Sequence, residues 1–459
     1  PNVTEIDIEQ LPTREKAEKP TIYIAGDSTA QTYNYTKVYP QTGWGQVFAD
    51  YFNDDIIIEN RAMGGRSSKS YDNDGRLDRI LTEMHPGDYV FIQFGINDGA
   101  ENKPERYISV EDYKKLITDK YIGEVEKRGG TPVLMTANAA AWWDEENNCF
   151  MESRKDYADP TREIAEETGC KFIDENKIVT DAWNSMSKNR VLSGYFVCEP
   201  LESKAYPSGT NDTTHMKAKG AKRVAKLIAD AIPENVPELA KYLKGDETFT
   251  DIQGHWAENV INTLAENGKV SGVGDGKFNP DGTVTRAEFL KMAMDSFGIG
   301  GHAYRDGECL DATNDDWYCY YLQGALDKDI IPKEMIENCN VTKVTKTLAE
   351  ATDDKKAVTT DVNVYTGKFD GDKPITREEM AAIAVRCKNY KMRRLTDWDN
   401  ERRYPIFSFK DSDEIDEKYI SDVVEAYNLN YIDGMEDGRF APKENLTRAQ
   451  AAVVMNNLK

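Results

Sequence analysis

The sequence predicts an α/β domain, a parallel sheet covered by helices on both faces, followed by a mainly α-helical module of three repeats. Three observations carry this. Short runs rich in β-branched and aromatic residues alternate with helical patterns from Thr21 to about Ile232. Successive runs end in polar motifs, the first being Gly26-Asp27-Ser28-Thr29. Beyond residue 249 one pattern of Asp, Gly-x-Phe and Thr-Arg-x-Glu/Gln returns.

The 459 residues are enough for two to four domains of roughly 100–200 residues each. With 39% hydrophobic residues a sizeable core is within reach. The net charge of −23 argues against nucleic acid or an anionic membrane as partner. No apolar run approaches the roughly 20 residues of a membrane span. No signal peptide is visible; because the chain opens on Pro1 and not Met, a leader already removed is compatible with it. Seven cysteines without a C-x-x-C and four scattered histidines exclude most zinc spacings. No metal and no cofactor are expected. The odd cysteine number leaves at least one thiol unpaired unless it pairs between chains.

Residues 1–20 are polar and form a lead-in. Thr21 to Ala25 is the first strand and delivers Ser28 to its carboxyl end. A Tyr/Thr/Gln-rich loop follows, then a helix from Gly43-Trp44-Gly45 through Phe52, and Ile56-Ile57-Ile58 as a buried second strand. A Gly/Ser loop over 60–70 precedes a helix with Leu77, Ile80, Leu81 and Met84 on one face. Tyr89 to Phe94 is the third strand and runs into Gly95-Ile96-Asn97-Asp98-Gly99. A helix over about 110–127, a strand at 132–136, a helix from about Pro160 to Thr168 and a strand at 171–174 continue the alternation. The last helix, Ala218 to Ile232, follows Asp212-Thr213-Thr214-His215.

Ser28, the Gly64-Gly65 loop and Asn97 each follow a successive strand, so all three fall on one edge of the sheet. A serine nucleophile needs a base, and elimination finds it. His85 sits beside a Pro-Gly turn away from that edge, and His255 and His302 belong to the second half. His215 remains, with Asp212 three residues earlier, close enough for one loop to hold carboxylate against imidazole. The competing role for Asp212 or Thr214 is a cap on the next helix. For Asn97 it is a turn residue, against an oxyanion donor beside Ser28.

Gly-Asp-Ser-Thr at 26–29, Gly65 in Gly65-Arg66-Ser67-Ser68, Asn97 in its Phe-Gly-Ile-Asn-Asp-Gly block and the Asp212-Thr213-Thr214-His215 run resemble the four sequence blocks of the SGNH/GDSL hydrolases. Gly43-Trp44-Gly45 and the Gly-Arg-Ser loop are similar to the rhamnogalacturonan acetylesterase branch, although Ile96 stands where that branch often has His. The resemblance covers about residues 20–235. It implies a flavodoxin-like three-layer fold and a Ser28/His215/Asp212 triad. It also implies an oxyanion hole of the Ser28 and Gly65 amides with the Asn97 side chain, and removal of O-acetyl groups from a plant polysaccharide. Trp142-Trp143 fits a sugar-stacking platform or plain packing. Arg66 fits a galacturonate carboxylate or a structural partner.

Residues 236–248 form a linker with Pro237 and Gly245. The repeats then occupy 249–300, 301–395 and 396–459. Their markers are Phe249-Thr250-Asp251, Tyr304-Arg305-Asp306 and Phe409-Lys410-Asp411, each followed by Gly-x-Phe and a helix opening on Thr-Arg. The capping box explains Thr and Glu/Gln. It leaves Arg286, Arg377 and Arg448 at the positive end of a helix, which fits an anionic ligand or a solvated arginine over apolar surface. The pattern resembles S-layer homology (SLH) domains, with an insertion at about 334–365 in the middle copy and no Gly-His-Trp there. That resemblance implies binding of a secondary cell-wall polysaccharide in a Gram-positive bacterium, with Asp251, Trp256, Arg286, Arg377 and Arg448 as contacts. Three linked sites gain avidity on a repeating polymer. The expected whole is a wall-attached carbohydrate O-acetylesterase. Alternatives are an acetylxylan or other glycan esterase, or a non-catalytic wall-binding protein.

Overall fold

A computed structural model describes residues 14–245, 249–266, 270, 272–303, 309–313, 315–349, 358–393, 409–435 and 437–458. Five strands build the first-half sheet: β1 (Thr21–Gly26), β2 (Ile57–Asn60), β3 (Tyr89–Gln93), β4 (Thr131–Met135) and β5 (Lys171–Ile173). They pair in the order β2-β1-β3-β4-β5, parallel throughout. This is the flavodoxin-like order, in which the chain reverses direction across β1 and β3 and opens a crevice at their carboxyl ends.

Side-chain alternation explains why helices cover both faces. Ile22, Ile24, Phe91, Val133 and Ile173 belong to one buried cluster, with Trp44, Trp183 and the Ala218–Asn235 helix. Tyr23, Ala25, Val90, Ile92 and Leu134 belong to the other, with Leu77, Ile80, Tyr113 and Ile164. The second strand is an edge strand: Ile57 is 44% exposed, so three isoleucines in a row do not mark a buried strand there. The helix expected from Pro160 begins earlier, at Lys155–Thr168 with Pro160 inside it. A further helix, Glu175–Asn184, follows β5.

The expected linker is docked where it is described. Pro237–Tyr242 forms a 3-10 turn with Leu239 buried, and Lys244 N donates to Tyr51 O (2.9 Å).

The second half closes on itself. Val284 N donates to Leu446 O, Ile375 N to Val284 O and Leu446 N to Ile375 O, a ring of one hydrogen bond per unit. Asp251 accepts from Phe278 N and Asn279 N, and Asp411 accepts from Phe440 N and Ala441 N. In the middle unit Asp311 makes the same pair, to Phe369 N and Asp370 N. Asp311, not Asp306, is thus the repeat's aspartate; Tyr304-Arg305-Asp306 lies outside the described residues. The insertion is an antiparallel hairpin, Glu337–Ala349 against Val358–Lys368.

The two halves meet through buried charges held in pairs, as burial requires. Lys391 and Lys328 of the second half face Glu199 of the first at 3.4 and 3.7 Å, beside the Lys217–Glu202 pair (2.6 Å) within the first half. Ala303 N donates to Leu201 O (2.8 Å).

Candidate active site

Register places the three motif loops together. Gly26 pairs with Gln93 at the ends of β1 and β3, and Met63 N donates to Gly26 O (2.9 Å), which draws in the loop after β2. The turn carrying Ser28 is built by Asp27, whose Oδ1 accepts from Thr29 N (2.8 Å) and Thr29 Oγ1 (2.9 Å). Burial raises the Asp27 carboxyl to about 6, against those hydrogen bonds. Tyr33 Oη donates to Ser28 O (2.7 Å) and fixes the other side of the turn.

The structure brings Ser28, His215 and Asp212 into one chain of hydrogen bonds. His215 Nε2 lies 2.9 Å from Ser28 Oγ, and His215 Nδ1 lies 2.6 Å from Asp212 Oδ2. Asp212 Oδ1 accepts from Thr214 N (2.7 Å) and His215 N (2.9 Å), so one short loop orients the base. Burial pushes the Asp212 carboxyl up, but the bonds from His215 and Thr214 outweigh it and hold it at about 2. The Asp212 hydrogen bond raises His215 above the ordinary imidazole value, opposed by burial and aided by Asp27. This arrangement lets His215 take the serine proton and return it to a leaving alcohol.

Gly65 has φ +71°, a conformation that favours glycine. The neighbouring Gly64 amide donates to Gln31 Oε1. Asn97 Nδ2 donates to Arg66 O (3.0 Å), which ties the loop after β3 to the loop after β2. A residue missed in the sequence makes that junction. Asp98 is fully buried and its carboxylate accepts from Ser68 N (2.8 Å), Ser68 Oγ (2.6 Å) and Gly95 N (2.9 Å). Only its place beside Asn97 hinted at it.

Other expected residues separate. Arg66 Nε bonds Asp74 at 2.7 Å and Nη1 reaches Gly64 O, so the structural partner exists. Trp143 packs edge-on against Phe150 and joins the core margin. Trp142 lies under the Arg154 guanidinium at 4.8 Å, and Ala141 N donates to Thr213 O (2.7 Å), which anchors this loop to the one holding His215.

In the second module the recurring arginine has a structural role. Arg286 bonds Phe369 O (2.6 Å), Arg377 bonds Phe440 O (2.7 Å) and Arg448 bonds Phe278 O (2.8 Å), each reaching the next unit's Gly-x-Phe around the ring. Arg286 also forms a buried two-pronged pair with Glu379. Trp256 is exposed (64%), and Trp317 holds the matching place two residues before its helix, 53% exposed.

Residues 24–223 match the GDSL-like lipase/acylhydrolase family, and residues 248–290 and 408–452 match the S-layer homology domain. A probable rhamnogalacturonan acetylesterase of Bacillus subtilis, YesY, is 36% identical over 46% of this chain and 92% of its own length. The rhamnogalacturonan acetylesterase RhgT of the same species is 32% identical, over 46% of this chain and 89% of its own. The solved structure of protein YxiM, also from Bacillus subtilis, is 29% identical with a TM-score of 0.40, covering 49% of this chain and 56% of that one. The chain belongs to the GDSL-like lipase/acylhydrolase family, and it carries S-layer homology domains beyond the hydrolase fold.

Proposed function

We propose that the protein is a cell-surface carbohydrate O-acetylesterase acting on an acetylated pectic polymer of the rhamnogalacturonan type. The observation that carries it is the continuous chain from Asp212 through His215 to Ser28 Oγ. Ser28 attacks the acetyl carbonyl while His215 takes its proton. The tetrahedral oxyanion is met by the Ser28 and Gly65 amides and Asn97 Nδ2. His215 then protonates the departing sugar oxygen, and the acetyl-Ser28 ester left behind is hydrolysed by water, activated by the same base, to acetate and free Ser28. The names of the Bacillus subtilis relatives support the substrate class.

The SLH domains support attachment to a cell wall, with the middle segment as a third SLH repeat. Its Asp311 and Arg377 bonds, equivalent to those of its neighbours, favour that reading. Exposed Trp256 and Trp317 are the wall-polymer contacts it points to most directly. Asp251, Arg286, Arg377 and Arg448 then act from behind, by holding the loops that carry the grooves.

Acetate release from acetylated rhamnogalacturonan and acetylated xylan, side by side and with Ser28→Ala as control, tests the substrate. Preference for the pectic polymer is expected. Release from xylan alone would overturn the substrate and keep the esterase.

A further inference from the structure

The oxyanion corner carries a second arginine that, unlike Arg66, has no firm partner. Arg106 lies in the loop following Asn97, where its backbone N donates to Lys103 O (2.8 Å) and Ile108 N donates to Asp98 O (3.1 Å). A carbon built on Gly65 would meet its Nη2, Cζ and Nη1 at 3.2, 3.5 and 3.5 Å. These distances set the Nη end of the guanidinium against Gly65. The side chain is 27% exposed.

Its ion pair is weak. Arg106 Nε stands 3.6 Å from Glu105 Oε1, on a side chain 66% exposed to water. Among the described residues the guanidinium donates no hydrogen bond. Other arginines of this domain are engaged: Arg66 by Asp74, and Arg162 by Glu152, Asp159 and Asp174. In a chain of net charge −23, a planar fork of donors left beside the oxyanion glycine is a ready carboxylate clamp. It also offsets, locally, the repulsion an acidic polymer would meet on approach.

We propose that Arg106 binds the carboxylate of a uronate in the acetylated chain, and so selects uronate-containing esters over neutral ones. This rests on the esterase reading above and names the residue that sets its specificity. Arg106, not Arg66, is then the acidic-substrate contact.

The test uses the full chain and p-nitrophenyl acetate hydrolysis as the reporter. Unacetylated oligogalacturonate and a xylo-oligosaccharide of equal length are compared as inhibitors of wild type, Arg106→Gln and Arg106→Lys. The readout is the ratio of the two inhibition constants, so a change in turnover itself drops out. Wild type should favour the uronate by about tenfold or more, Arg106→Gln should bring the ratio near one, and Arg106→Lys should fall between. A wild-type ratio near one, or an unchanged ratio in Arg106→Gln, overturns the proposal. The ratio is readable whether or not acetylated rhamnogalacturonan is deacetylated, so failure of this site and failure of the substrate class are separate results.

Discussion

Asp212 grips His215 twice, by its ring through Nδ1 at 2.6 Å and by its backbone amide at 2.9 Å, although only three residues separate them. A single carboxylate therefore sets the position of the imidazole, its tautomer and its charge preference. The imidazole cannot drift from Ser28 without straining both contacts.

Asp212→Asn should keep the loop, since an amide oxygen still accepts from the backbone, but favour the wrong imidazole tautomer. We expect kcat on p-nitrophenyl acetate to fall about 10³–10⁴-fold with KM little changed. A loss under about tenfold would show that Asp212 does not orient the base.

The pH profile follows from the same pair. The proposed mechanism requires neutral His215, whose pKa is raised above 6.5, so kcat/KM should fall as pH drops through that raised value. Asp212, at about 2, stays ionised across the whole range. The raised histidine adds stability below its unfolded pKa and loses it as pH rises through the folded one. In residual activity, Asp212→Asn should move the acid limb to lower pH; an unmoved limb would assign it to another group.

Asn97→Ala removes the proposed oxyanion donor and the tie to Arg66 O together. We expect kcat to drop about 10²–10³-fold. Asn97→Asp, with an acceptor facing the developing oxyanion, should be no better than Ala; recovery of activity in that variant would remove Asn97 from the oxyanion hole.

Arg286→Ala leaves Glu379 buried without its guanidinium, and both side chains are 8% exposed. Urea unfolding of the full chain should show the second module weakened by about 3–5 kcal/mol. Trp256→Ala, on the surface, should leave unfolding unchanged and reduce sedimentation with wall preparations. The opposite pattern would make arginine the wall contact and tryptophan the structural residue.

The candidate site was legible because each of its parts follows a strand or stands before a helix, and a parallel sheet sends all of those ends to one edge. His215 emerged because few histidines compete with it. What sequence could not weigh was competition between partners. Arg66 and Arg106 look alike on paper, and only the fold brings Asp74 to one and leaves the other beside an exposed Glu105. For the arginines of the repeats the sequence offers a ligand or apolar surface, because the carbonyls of the next unit that they bond are 63 to 170 residues away. Asp311 was missed because the middle unit carries Cys309-Leu310 where its neighbours have an aromatic residue two places before the aspartate.

The most direct test of a nucleophilic Ser28 is covalent labelling of the full chain with a fluorophosphonate, read by mass spectrometry. One adduct per chain, located on Ser28, abolished by Ser28→Ala and slowed by Asp212→Asn, is the expected result. An unlabelled chain, or an adduct on another residue, would contradict the triad and favour a wall-binding protein that keeps the hydrolase fold as scaffold.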